Sequence, residues 1–278
     1  MSHSLIARRL PLGSWVGAVA VLLLALASPA HAAEQKAGAD GAPKPPAELR
    51  VGVATNYPPV IFEENGKVVG VEADLARKLG EELPTRITFV QLEWDELWPA
   101  LRDKKVDVVM SGVSVTERRS NLVAFTDPYL RVGQMALIRK ADMVKLSAPE
   151  AMSEPGRKVG VEKNTTGEAY ARRHLEKATI VSYDSVDLAL AGLRGGEVDY
   201  FIHDAPTVWR VVGRPPKEDP ELIGLYRPLT DEYLAWAIRK EDAGTLGVLL
   251  DDKIGQWQKN GELQAVVDRW IPVKKVSR

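Results

Sequence analysis

Cysteine is absent from the 278-residue chain, and that single absence excludes a disulfide framework, a thiolate metal site and a cysteine nucleophile. Histidine is nearly as scarce. Of the four, His3 and His31 fall in a leader segment described below, which leaves His174 and His203. Two histidines so far apart, with no cysteine beside them, lack the spacing of a metal-ligand set, and no metal or cofactor is expected. His203 next to Asp204 is also a poor dyad, because neighbours on a strand point to opposite faces. A charge excess is missing as well. The formal net charge is −1 with 27% charged residues, which indicates neither a nucleic-acid partner nor an acidic, disordered chain.

What is present is an ordinary globular balance, 45% apolar, over a length that suits one large domain or two modest ones. The N-terminus stands apart. Arg8 and Arg9 precede an apolar run from Trp15 to Ala27, and then come Ser28, Pro29 and Ala30-His31-Ala32. A positive start, a short apolar centre and small residues about a cut site read as a secretory signal peptide over residues 1–33, cleaved near Ala32/Ala33. The run is shorter than the roughly 20 residues of a membrane span. The arginine pair is compatible with a twin-arginine signal, but Leu10-Pro11-Leu12 fits that motif poorly, and no cysteine at the cut offers a lipid anchor. Loss of two arginines takes the mature chain from −1 to −3. Residues 34–48 read as a flexible lead-in, so the expected product is exported, periplasmic and soluble.

From Leu49 onward, short β-rich runs alternate with amphipathic helices. Leu49–Ala54 reads as a buried strand, Glu72–Leu83 as a helix with Leu75, Leu79 and Leu83 on one stripe, and Arg86–Val90 as a second strand. Trp94, Leu97, Trp98 and Leu101 follow at helical spacing, with Pro99 leaving the boundary open. Val106–Met110 is a strand buried on both faces. The second half echoes the first: Lys158–Glu162 repeats the VGV of β-rich Arg50–Ala54, and Leu193–Asp199 repeats Leu101–Asp107 at L-R-x-x-x-V-D. Ser185 is the expected N-cap of the helix before that repeat, and Gly195 its C′ glycine. Two α/β lobes of similar plan follow, and open α/β sheets bind ligands outside the C-terminal ends of their strands. That rule selects the segments after Met110 and after Ile202.

The first of these runs Ser111-Gly112-Val113-Ser114-Val115-Thr116-Glu117-Arg118-Arg119, with Phe125-Thr126-Asp127-Pro128-Tyr129 beyond it. A strand end carrying glycine and serines offers N–H and hydroxyl donors, and an arginine at the next turn adds a fork suited to a carboxylate. On local chemistry alone, a capped helix with solvated arginines fits equally well.

The string SGVSVTERR…VAFTDPY resembles the signature of the family 3, amino-acid type, periplasmic solute-binding proteins. VGVATNYPPVIFEENGKVVGVEADLARKLG, GVEKNTTGEAYA and VDYFIHD are similar to that family's opening strand, second-lobe threonine loop and aspartate strand end, so the likeness runs from about Leu49 to Trp270. It implies a two-lobed α/β periplasmic-binding-protein fold of type II, with a ligand cleft between lobes joined by a two-segment hinge. The expected lobes are 49–140 with 229–278, and 141–228, with hinge strands near Gln134–Arg139 and Gly224–Arg227. It further implies a monomer, not an enzyme, that binds an amino acid or similar small zwitterion for an ABC transporter permease. The alternatives on the same scaffold are a cyclohexadienyl dehydratase and a sensory binding module.

Carried onto this chain, the resemblance places the carboxylate-binding arginine at Arg119, with Arg118 facing solvent. Ser111, Gly112 and Ser114 present N–H and hydroxyl groups to the ligand carboxylate, and Thr165 and Thr166 complete its hydrogen bonds from the second lobe. Asp204 accepts from the α-ammonium, while Tyr57 and Trp94 flank the side chain. Ala54 stands where the family often has a polar or acidic residue. A buried cation without a partner keeps a cost of several kcal/mol, more than aromatic faces recover, so an apolar or uncharged side chain is expected. Glu72 is the one spare acid, and a helix-face acid of this kind is expected to be solvated.

Overall fold

The computed structural model describes residues 43–148, 150–213 and 219–271. The expected signal peptide, 1–33, and the lead-in as far as residue 42 lie outside the described residues. Strand β1 (Glu48–Val53) passes through a small antiparallel sheet, β2 (Asn56–Tyr57), β3 (Ile61–Glu64) and β4 (Lys67–Val69), into helix α1 (Val71–Glu82) and strand β5 (Arg86–Gln91). Helix α2 (Leu97–Arg102) leads to β6 (Val108–Val109), then α3 (Glu117–Ser120), β7 (Ala124–Phe125) and β8 (Leu130–Val132). The second half runs β9 (Gln134–Arg139), α4 (Met143–Leu146), β10 (Lys158–Glu162), α5 (Thr166–His174), β11 (Thr179–Tyr183), α6 (Val186–Arg194), β12 (Tyr200–Asp204), α7 (Ala205–Val212) and β13 (Leu222–Leu225). The chain then returns as β14 (Glu232–Leu234), β15 (Ala237–Ile238), α8 (Val248–Asn260) and α9 (Glu262–Trp270).

Two five-stranded sheets result, in the orders β5-β1-β6-β15-β7 and β11-β10-β12-β9-β13. In each, the first three strands are parallel and the next is antiparallel. The parallel strands are joined by helices whose apolar stripes pack on the sheet. In α6 that stripe is Val186, Ala189, Leu190 and Leu193, all buried, which is the spacing expected from the sequence. Ser185 caps this helix, its hydroxyl accepting from the Leu188 N–H at 3.3 Å. The left-handed glycine is Gly196, at φ 76°, one residue beyond the expected Gly195. The core of the first lobe is completed from the far end of the chain. Leu250, Ile254 and Trp257 of α8, with Leu263, Val266 and Val267 of α9, join Leu75 and Leu79 of α1.

The lobe boundary falls earlier than residue 140. Gln134–Arg139 is not a hinge strand of the first lobe but the fourth strand of the second sheet, paired with β12 and β13. Gly224 likewise sits inside β13. A run as apolar as Met135-Ala136-Leu137-Ile138 must be buried on both faces, and only a central sheet position provides that. The crossing between sheets is narrower. It consists of Gly133 on the way out and residues 226–231 on the way back, preceded and followed by the antiparallel pair β8–β14. The two crossings touch: Gln134 N–H donates to Thr230 Oγ1 at 2.8 Å, and Leu229 N–H to Gln134 O at 2.8 Å. A Cβ on Gly133 would lie 2.3 Å from Thr230 O, so only glycine allows this approach.

Candidate functional site

The C-terminal ends of the parallel strands of both sheets converge on one cleft. Its inner chamber is lined by Asn56, Tyr57, Trp94, Ser111, Gly112, Ser114 and Arg119 from the first lobe, and by Gln134, Glu162, Thr165, Thr166, His203 and Asp204 from the second. Every residue expected at the site is therefore brought to one place. Four further residues were not foreseen: Asn56, Gln134, Glu162 and His203. Glu162 and His203 sit at strand ends: the rule had already selected the segment that begins with His203, and applied to β10 it would have found Glu162 as well. Asp204 and His203 both reach the chamber although they are neighbours, because Asp204 is the last strand residue and already turns into α7.

Local folding explains the placement of the arginine. Thr116 caps α3, its hydroxyl accepting from the Arg119 N–H at 3.2 Å, which fixes the turn that aims Arg119 inward. The guanidinium donates to Ser114 O at 3.0 Å and lies over the rings of Trp94 and Trp98, 5.2 and 5.7 Å from their centroids. Among the described residues no carboxylate forms an ion pair with it. Burial lowers its pKa, and the charges of Asp204 and Glu232 only partly oppose that. Arg118 is exposed, as expected.

Across the cleft, Asp204 is buried and accepts from the Tyr57 hydroxyl at 2.6 Å and from Gln134 Nε2. Burial raises its pKa, while the charge of His203 and the Tyr57 hydrogen bond pull it back. Tyr57 belongs to the first lobe and Asp204 to the second, so this bond ties the lobes together. A second tie lies at the rim, where Asn164 Nδ2 donates to Asp95 at 3.1 Å. With both made, the inner chamber measures only ≈ 40 Å³, room for a few waters and far below the roughly 300–1,000 Å³ of small-molecule sites. A wider vestibule of ≈ 590 Å³ shares Trp94, Arg119, Thr165 and Thr166 with it.

Several groups do something other than expected. The Gly112 N–H does not face the chamber; it donates to Glu72 Oε2 at 2.7 Å. Gly112 contributes instead by lacking a side chain, since a Cβ there would come within 2.4 Å of the Tyr57 ring. Glu72 is not solvated but fully buried. Burial pushes its pKa up to about 8, against the pull of the Gly112 N–H and the Tyr129 hydroxyl. It holds the strand end from beneath and does not line the chamber. The Ser111 hydroxyl accepts from the Ala54 N–H at 2.9 Å, locking β1 to the same strand end. The Thr165 hydroxyl caps α5, accepting from Glu168 N–H at 3.3 Å, and the Thr166 hydroxyl accepts from Gln134 Nε2 at 3.0 Å. The positive end of α5 thus faces the cleft opposite Arg119, a pairing of donors suited to an anion.

A cleft of two type II lobes, with a cation on one wall that has no ion-pair partner among the described residues and a buried carboxylate on the other, defines a class of small-solute traps. Residues 49–273 match the bacterial extracellular solute-binding proteins, family 3, and the chain belongs to that family. It is 31% identical over 233 residues to ABC transporter arginine-binding protein 1 of Escherichia coli, covering 81% of this chain and 91% of that one. Among solved structures it is similar to a putative ABC transporter binding component from Wolinella succinogenes complexed with lysine (28% identity, 83% and 98% coverage, TM-score 0.76). It is also similar to an ancestral amino-acid-binding protein described as a precursor of cyclohexadienyl dehydratase (32% identity, 81% and 95% coverage, TM-score 0.73).

Proposed function

We propose that this protein is a monomeric periplasmic receptor that captures a zwitterionic amino acid and delivers it to the permease of an ABC importer. The relatives' names support the class: an arginine-binding protein, a lysine complex and an ancestral amino-acid-binding protein. The observation that carries the reading is Arg119, a partly buried guanidinium in the cleft with no carboxylate in ion-pair contact among the described residues. In the proposal it takes the ligand α-carboxylate bidentately, with Ser114 and the start of α5 at Thr165 and Thr166 beside it. Asp204 takes the α-ammonium in place of the Tyr57 hydroxyl. Tyr57 and Trp94 then flank the side chain, while Ser111 and Gly112 shape the wall. Because the inner chamber is so small, the lobes must part to admit the ligand and close again around it, which makes binding and closure one event.

A thermal-shift panel over the common amino acids tests the proposal on the mature chain. A ligand at 100 times its dissociation constant stabilises by about 2.7 kcal/mol, so at least one amino acid gives a clear upward shift. Arg119→Ala weakens that ligand by tens- to thousands-fold, corresponding to about 2–5 kcal/mol for truncating one partner of a buried charge pair. Arg118→Ala leaves it nearly unchanged. No shift with any amino acid, or turnover of a cyclohexadienyl carboxylic acid by the purified chain, would remove the proposal in favour of the dehydratase alternative.

A further inference from the structure

The proposed clamp leaves two titratable side chains of the same chamber without a task. Glu162 ends β10, and His203 stands one residue before the end of β12. Glu162 Oε2 lies 3.1 Å from His203 Nε2. Among the described residues Glu162 has no other charged partner, and its side chain keeps 16% exposure, so the carboxylate is reachable from the cleft. His203 is enclosed. Its ring meets Tyr57 edge-on at 5.5 Å and Phe201 at 5.6 Å, and its Nδ1 is buried with no hydrogen-bond partner among the described residues.

The chamber's charges do not balance for an amino acid with a neutral side chain. Arg119 answers the carboxylate and Asp204 the ammonium, which leaves one negative charge over while His203 is neutral. Resting on the clamp proposed above, we infer that Glu162, held in place by His203, reads the ligand side chain and selects amino acids that end in a guanidinium or an ammonium. The expectation of an uncharged side chain rested on a wall of Tyr57, Trp94 and Ala54 with no acid in it. Glu162 is the acid that wall lacked, and it comes from the opposite lobe. A cation buried there keeps a partner, and the two aromatic rings line its aliphatic stem.

The pairing with His203 adds a pH signature. The groups that face the imidazole are Glu162 at the end of β10, Asp204 beside it on β12, Tyr57 from β2 and Arg210 on α7. Burial alone would lower its pKa, but the hydrogen bond to Glu162 and the charges of Asp204 and Glu162 outweigh burial and raise it. A proton on His203 satisfies Glu162 and competes with the ligand's cation. Affinity for a cationic amino acid therefore rises as pH rises through the titration of His203, and affinity for a neutral one lacks this component.

Isothermal titration calorimetry with L-arginine, L-lysine, L-glutamine and L-leucine, at pH 6 and pH 8, decides the matter. The wild-type chain binds arginine and lysine about 10- to 100-fold more tightly than glutamine and leucine, the range for a hydrogen bond to a charged partner. Glu162→Gln removes that preference and the pH dependence together, and a far-UV circular dichroism spectrum and unfolding midpoint matching wild type show that the variant folds. His203→Gln flattens the pH dependence for arginine. A wild-type preference for leucine or glutamine overturns this inference and leaves the clamp standing, as does an equal loss for all four ligands in Glu162→Gln. Failure of every amino acid to bind overturns both.

Discussion

The two lobes share their joints and differ at their working ends. In the first, Asp107 accepts from the Arg50 N–H at 2.9 Å and Asp107 N–H donates to Arg50 O at 2.8 Å. In the second, Asp199 and Lys158 make the same pair of bonds at 3.0 and 2.8 Å. Arg239, just beyond β15, reaches the carbonyls of Leu101 and Val106, and Arg139 at the end of β9 reaches those of Leu193 and Val198. Each arginine also pairs with the aspartate three residues on, Asp242 or Asp142, at 2.6 Å. Even the packing repeats: a Cβ on Gly52 would meet Val106 at 3.2 Å, and one on Gly160 would meet Val198 at 3.2 Å. The strand ends then part company. β6 runs into Ser111 and Gly112 and on to the cation Arg119, whereas β10 and β12 end on the acids Glu162 and Asp204. One scaffold used twice thus carries opposite charge on facing walls.

Glu72 breaks the likeness most sharply, since it is a buried acid beneath the first lobe's strand end alone. Its pKa of about 8 in the folded chain against 4.5 ordinarily means that folding retains a proton. Between those values the folded state binds more protons than the unfolded one, so this group's contribution to stability falls as pH rises and levels off above about pH 8. At about 1.4 kcal/mol per unit, wild type loses up to about 4 kcal/mol relative to Glu72→Gln between pH 5 and pH 8. Glutamine still accepts from Gly112 N–H, so the strand end stays put. Urea denaturation of both chains at the two pH values measures the difference, and parallel pH slopes would show that Glu72 is not a buried acid.

The shared joints predict a smaller and symmetric effect. Arg139→Ala and Arg239→Ala each remove a donor from two backbone carbonyls, one of which keeps a backbone N–H, and leave one aspartate without its arginine, at a cost of about 2–4 kcal/mol. The two variants lose similar stability in denaturant titrations, within about 1 kcal/mol of each other. A large loss in one and none in the other would mean that the repeat is a likeness of sequence without a likeness of load.

Much of this was legible along the chain because it is local. Strand–helix alternation, the stripe of α6 and each copy of L-R-x-x-x-V-D are patterns carried by a few consecutive turns of chain. The second repeat, Ile138-Arg139-Lys140-Ala141-Asp142 against Ile238-Arg239-Lys240-Glu241-Asp242, went unread. Its arginines look like surface charges until the loop carbonyls they clamp are placed beside them. The sheet to which β9 belongs was illegible for a related reason: a doubly buried apolar run specifies a central strand but not its neighbours. At the site, Arg119 and Asp204 were reached through the resemblance of their motifs. Glu162 passed as the polar end of a VGV strand, and Glu72 as a helix-face acid, because Gly112, its partner, lies 40 residues away.

The division of charge between the lobes is tested most directly by blocking one end of the ligand at a time. Calorimetry would compare the best-bound amino acid with its α-amide and its N-acetyl derivative on wild type, Arg119→Ala and Asp204→Asn. On wild type each block costs about 2–5 kcal/mol. Amidation costs little further on Arg119→Ala, and N-acetylation costs little further on Asp204→Asn, while each variant stays fully sensitive to the other block. Blocks that add undiminished on both variants, or that pair the opposite way, would contradict a cation on the first lobe holding the carboxylate and an acid on the second holding the ammonium.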